Sequence, residues 1–127
     1  MVAWNDYKSQ AKERGALALE LYVVHTTPTD PDAVKAALPD HLAYQRMQEE
    51  AGTLVMAGPI SDPSGDNMQG AGMILYRAAS MADARALAEA DPMHRTGART
   101  FTVNKWLVNE GGLNISVGLS TGHGSFS

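Results

Sequence analysis

Apolar residues recur at helical spacing in three stretches of this chain and alternate in three others. Trp4, Tyr7 and Ala11 predict a short amphipathic helix over 4–14, ended by Gly15. From Ala16 to His25 the period falls to two. Leu17, Leu19, Leu21, Val23 and His25 share one face and Ala18, Glu20, Tyr22 and Val24 the other, as in a strand. Thr26 to Pro31 is a turn-rich connector with Thr29 and Asp30 as candidate caps. Asp32 to Leu38 predicts a first helical piece, and Pro39 should kink or restart it into a main helix, Pro39 to Ala51, closed by Gly52. A second strand, Thr53 to Ala57, should end at Gly58-Pro59. The polar run Ser61 to Gly70 is either a plain hairpin connection or a mobile cover. Gly72 to Arg77 reads as a third strand. Ser80 caps the next helix, whose inner face is Met81, Ala84, Leu87 and Ala88. Asp91-Pro92 opens a one-turn helix that Gly97 closes. In a fourth strand, Arg99 to Val108, Phe101, Val103 and Leu107 fall on one face and Trp106 and Val108 on the other. Leu113 to Leu119 alternates again and suits an extra strand on a partner, while Thr121 to Ser127 reads as a flexible tail with an unstructured His123.

The order β-α-β-β-α-β predicts an α+β, ferredoxin-like antiparallel sheet with two helices on one face. The opposite face carries too many apolar groups to stay wet. Two sheets packed face to face as a homodimer solve this economically in a short chain. The chain should be a single domain over 1–127, with a core of about 16–111, an N-terminal helix in 1–15 and a C-terminal extension in 112–127.

Composition narrows the function classes. The net charge is -4 and no basic stripe exists, which excludes nucleic acid as a main partner. No cysteine is present, so thiolate metal sites and cysteine nucleophiles are ruled out. No apolar run approaches the roughly 20 residues of a membrane span, and Met1 to Gly15 lacks a secretory core, so a cytoplasmic location is expected. The acids and amides of Ser61 to Gly70 do not follow calcium-loop spacing, and no metal is expected. Nicotinamide, flavin and phosphate-loop motifs are missing, so no organic cofactor is expected either.

The candidate chemistry lies in the connectors. Asp91 stands in a rigid turn that suits a helix cap and equally suits a functional carboxylate. His41 falls in the first turn of the expected main helix, beside Tyr44 and at the edge of its buried arc. The helix dipole there favours the neutral imidazole. It reads either as a surface histidine or as a base. His25, at a strand end, is a rim residue or a catalyst. His94, Arg95 and the Gly58-Pro59 turn are candidates for shaping a pocket or holding an anionic group.

Together these residues resemble the YCII-related family. The resemblance rests on His41-Leu42-Ala43-Tyr44, Gly52 with Leu54, Ala57-Gly58-Pro59, Ala90-Asp91-Pro92 with Gly97, and Trp106, and it spans roughly Leu19 to Gly111. It implies a dimeric α+β barrel with a His–Asp pair as active site, carried here by His41 and Asp91. The family is similar in fold to muconolactone isomerases and small aromatic monooxygenases. One branch looks like a dehydrochlorinase of chlorinated hydroxyhydroquinones in aromatic degradation. The implied function is a cofactor-free lyase or isomerase acting on a small aromatic or ring-derived substrate. His41 would serve as acid/base, Asp91 as its orienter, and His25, Tyr44, Gly58, Pro59, His94 and Arg95 as substrate-binding candidates. The alternatives are a cofactor-free monooxygenase of the same fold and a non-enzymatic, small-ligand-binding dimeric module.

Overall fold

A computed structural model describes residues 1–127. The inner row of the sheet is fixed by one register. Tyr22 pairs with Tyr76 and Val24 with Ile74 across β1 (Leu19–Pro28) and β3 (Met68–Tyr76). Period two puts all four side chains on one face. There they pack with Val103 of β4 (Arg99–Val108) and with Ala84 and Ala88 of α3 (Met81–Ala90). Alanine at the contact lets the helix lie close to the sheet. Ser80 Oγ caps α3 by accepting from Asp83 N at 3.1 Å.

The sheet order is β2-β3-β1-β4, with β2 (Leu54–Ser61) and β4 at the edges. This is the expected ferredoxin-like α+β arrangement. The remaining helices of this layer are α2 (Pro31–Ala51) and the one-turn α4 (Pro92–Arg95). Ala37 of α2 meets Met93 and Ala98 in a second buried cluster.

The chain divides into two compact units, Glu20–Leu107 and a second made of Met1–Leu19 with Val108–Ser127. The second holds α1 (Trp4–Glu13) and a hairpin of β5 (Ile115–Val117) and β6 (Gly124–Phe126).

Several boundaries move from their sequence positions. β1 begins at Leu19, not Ala16, because Ala18 adopts φ 48°, a left-handed conformation that cannot continue a strand. It then runs through Thr26 to Pro28, which the sequence reading placed in a turn. α2 is one helix through Pro39. A proline costs the bond to the carbonyl four residues back, but tertiary contacts hold both halves: Ala37 packs with Met93 and Ala98 before Pro39, and His41 bonds Asp91 and Tyr44 bonds Leu87 O after it. Gly58-Pro59 lies inside β2, not at its end. An edge strand tolerates a proline because one row of its N–H groups needs no partner. The polar run closes as a tight connection, in which Asp62 accepts from Ser64 N at 3.1 Å and from Asn67 Nδ2 at 3.2 Å. The tail pairs with this chain's own β5 and contains β6, so neither a strand on a partner nor a flexible end is needed.

On the outer face Leu21, Val23 and Leu75 are buried within the single chain, while Met56 and Trp106 stay 53% and 44% exposed. The outer face is thus only partly left open. No helix is long and apolar enough to cross a membrane.

Candidate active site

Asp30 starts α2 by accepting from Asp32 N at 3.0 Å and Ala33 N at 3.3 Å, with Pro31 in the first helical position. The helix therefore begins before the expected main helix, and His41 comes to lie in its middle, where the end dipole is weak. What governs His41 instead is Asp91.

Asp91 is completely buried between α3 and α4. Its Oδ1 accepts from Met93 N at 2.9 Å, which caps α4. The same carboxylate takes the Nδ1–H of His41, at 2.8 Å to Oδ1 and 2.9 Å to Oδ2. The cap and the His–Asp pair, alternatives in the sequence, are both present in one residue. With Nδ1 committed to a carboxylate, Nε2 is the ring nitrogen left to accept a proton. The His41 side chain is 16% exposed, against 0% for Asp91.

His41 lines a cavity of about 660 Å³ whose walls come from α2, β1, β2, β3, α4 and the start of β4. His94 lines it too, held differently. Its Nδ1–H donates to Ala88 O at 2.7 Å, so Nε2 accepts, and the Thr26 hydroxyl supplies the proton at 2.8 Å. Thr26 Oγ1 in turn accepts from Arg99 Nε at 2.8 Å. Arg99 Nη2 donates to Thr26 O at 3.1 Å and to Gly70 O. Gly70 has φ +93°, and a Cβ there would stand 2.7 Å from Pro28 Cγ, so only glycine brings this carbonyl to the guanidinium. Burial lowers the His94 pKa from its ordinary value. The Ala88 bond and the Asp91 charge oppose this, and the Arg99 and His41 charges add to it. Burial also lowers the Arg99 pKa, against the Asp91 charge. No group of three or more His, Cys, Asp or Glu side chains is gathered to hold a metal ion.

A family model, the YCII-related domain, matches residues 4–107. The chain belongs to the YCII-related family. No curated protein matches it at significance. Among solved structures it is similar to 5-chloro-2-hydroxyhydroquinone dehydrochlorinase from Burkholderia phenoliruptrix AC1100, solved in complex with 2,5-dihydroxybenzoquinone. The identity is 17%, the TM-score 0.50, and the match covers 68% of this chain and 92% of that one. At that identity the likeness speaks for the fold.

In this YCII-related chain the cavity gathers His41, Gly58, Pro59 and His94, with Asp91 directly behind His41. It does not gather the others. His25 is exposed and alternates to the face opposite Val24 and Thr26. Arg95 is exposed and outside the cavity. Tyr44 lines a separate hollow beside α3, where its hydroxyl donates to Leu87 O at 2.7 Å. Burial, then the Asp91 charge, raises its pKa. Sequence reasoning passed over Thr26 and Arg99. Arg99 shares parity with Phe101 and Val103, so an arginine heads the inward-facing row of β4. A charge on a buried-facing row was the available signal.

Proposed function

We propose that this protein is a cofactor-free lyase or isomerase that moves a proton on a small ring compound. His41 is its acid/base and Asp91 the group that orients and compensates it. The observation that carries this reading is the 2.8 Å contact of His41 Nδ1 with the buried Asp91 carboxylate, in a histidine that lines the cavity. A carboxylate behind Nδ1 fixes the tautomer and balances the imidazolium formed when Nε2 takes a proton. The electron pair left on the substrate then has two routes. It returns to the proton at another carbon, which shifts a double bond, or it expels a leaving group such as chloride as the anion. The structural neighbour is by its name a dehydrochlorinase, and its bound molecule is a dihydroxylated quinone. Aromatic degradation by loss of chloride is therefore the first chemistry to try. The substrate-binding walls in this reading are Gly58, Pro59 and His94.

The test uses chlorinated hydroquinones, with chloride release, ring absorbance and oxygen uptake followed together. Chloride release or isomerisation without oxygen uptake is the expected result, and His41→Ala should lower the rate by about 10²–10⁴-fold. Stoichiometric oxygen uptake would make the protein a monooxygenase instead. Ring binding without turnover, unaltered in a folded His41→Ala protein, would make it a binding module.

We propose further that two copies pair through the outer sheet face, where Met56 and Trp106 remain exposed. Sedimentation equilibrium should show a dimer that Trp106→Asp weakens. A monomer at every concentration would overturn the pairing.

A further inference from the structure

Arg99 has donors to spare and no carboxylate in contact. Its Nε and Nη2 are committed to Thr26 Oγ1, Thr26 O and Gly70 O, whereas Nη1 has no protein partner. The two carbonyls and the hydroxyl fix the guanidinium plane but leave its charge whole. Around it the cavity wall is largely hydrocarbon, with Val34, Leu38, Ile74 and Met93 among the lining residues. No Asp or Glu lines the cavity, and Arg99 is the one lining side chain with a permanent charge. Arg99 is half-buried, and the nearby Asp91 carboxylate is already bonded to His41 and to Met93 N, so an anion entering this space gains a charge-assisted hydrogen bond from an unfilled donor. An apolar wall with one fixed cation selects a ligand that is itself apolar with one anionic group. Arg95, four residues earlier and exposed, has neither property.

We propose that Arg99 is the anion-binding residue of this cavity, and that the ligand is a ring compound carrying a carboxylate or an ionised hydroxyl. The anion takes the Nη1 donors and the ring lies along the hydrocarbon wall. His94 does not compete for the anion, because its Nε2 accepts a hydrogen bond and presents no N–H. This names the substrate class of the site and rests, for the word substrate, on the acid/base reading of His41. The anion site itself does not depend on turnover.

Benzoate and benzamide have nearly the same shape and differ in charge, so they test the proposal directly. Two-dimensional amide spectra of the full chain should show benzoate shifting Gly72, Thr26 and the Arg99 Nε–H. Its dissociation constant should be about tenfold or more below that of benzamide, as for a hydrogen bond to a charged group. Arg99→Gln should bring the two ligands level. Arg99 also ties Thr26 to Gly70, so Arg99→Lys is measured beside it. Lysine keeps the charge and should keep the preference for benzoate. Equal binding of the two ligands by the wild-type protein overturns the proposal. So does a preference that survives in Arg99→Gln, or the absence of benzoate binding at millimolar concentration. If Arg99→Gln does not fold, loss of the preference in Arg99→Lys overturns it. Failure of the catalytic reading looks different: the wild-type protein prefers benzoate yet turns over no ring compound. Turnover with no benzoate preference removes the anion site and leaves the acid/base reading standing.

Discussion

His41 and His94 line the same cavity, and each spends its Nδ1–H on an oxygen, but the two oxygens differ. Behind His41 is a buried carboxylate at 2.8 Å; behind His94 is the backbone carbonyl of Ala88 at 2.7 Å. The carboxylate carries a full negative charge that can balance a second ring proton, and the carbonyl does not. The other nitrogen differs in the same sense. His41 Nε2 is left open, whereas His94 Nε2 is filled by the Thr26 hydroxyl at 2.8 Å. One residue type, a short distance apart, is thus built once to exchange a proton and once to hold still.

The largest break in this comparison comes from Asp91. Asp91→Ala removes the α4 cap and leaves the buried side of His41 without an acceptor, and it should cost about 2–4 kcal/mol in denaturant unfolding. Asp91→Asn keeps an acceptor for Met93 N and for His41 Nδ1–H, so it should lose about 1 kcal/mol, yet most of the turnover, because the charge is gone. Equal stability loss in the two variants would mean that the cap and the pair do not share this carboxylate.

Next is Thr26, which links His94 to Arg99. Thr26→Val keeps the shape and removes the hydroxyl, leaving His94 Nε2 and Arg99 Nε unmatched. A loss of about 1–3 kcal/mol is expected, with most of it recovered in Thr26→Ser. A neutral Thr26→Val would show that water replaces the hydroxyl there.

A smaller effect, and the sharpest contrast between the histidines, is in pH. Folded His94 is held neutral by burial, with its pKa below 6.5. As pH falls below 6.5 the unfolded chain takes this proton first, so the stability from His94 is whole above 6.5 and is lost on acidification toward the folded value. His94→Asn, whose amide N–H can reach Ala88 O in place of Nδ1–H, should lose less melting temperature between pH 7 and pH 5 than the wild-type protein. An identical acid loss in both would mean that His94 is not the group held neutral.

Much of this was legible from period and punctuation. β4 was read with its observed ends, and Asp91, Pro92 and Gly97 marked α4 because caps and prolines act locally. The juxtaposition of His41 and Asp91, fifty residues apart, came from family resemblance; no local rule supplies it. Arg99 and Thr26 were missed because period two says which residues share a row but not which row faces the helices. Both faces of β1 are apolar, so period two alone does not choose between His25 and its neighbour Thr26. Pro39 was over-read, since a proline's local cost is overridden when both halves of a helix are held by tertiary contacts.

The smallest expected effect lies behind Asp91 in the core. Tyr76 is fully buried and its hydroxyl has no hydrogen-bond partner. Burial, followed by the charges of Tyr44 and Asp91, raises its pKa far above the ordinary value, so the phenol stays neutral. A buried hydroxyl without a partner costs its desolvation and returns nothing, so Tyr76→Phe should be neutral or stabilising by up to about 1 kcal/mol. It should leave any turnover unchanged, because no bond to Asp91 is removed. A clear loss of stability in Tyr76→Phe, together with reduced turnover, would mean that the hydroxyl reaches the carboxylate through a bound water. The proton-exchanging end of the cavity would then run three residues deep, Tyr76 to Asp91 to His41, while the Ala88 carbonyl still ends the other at His94.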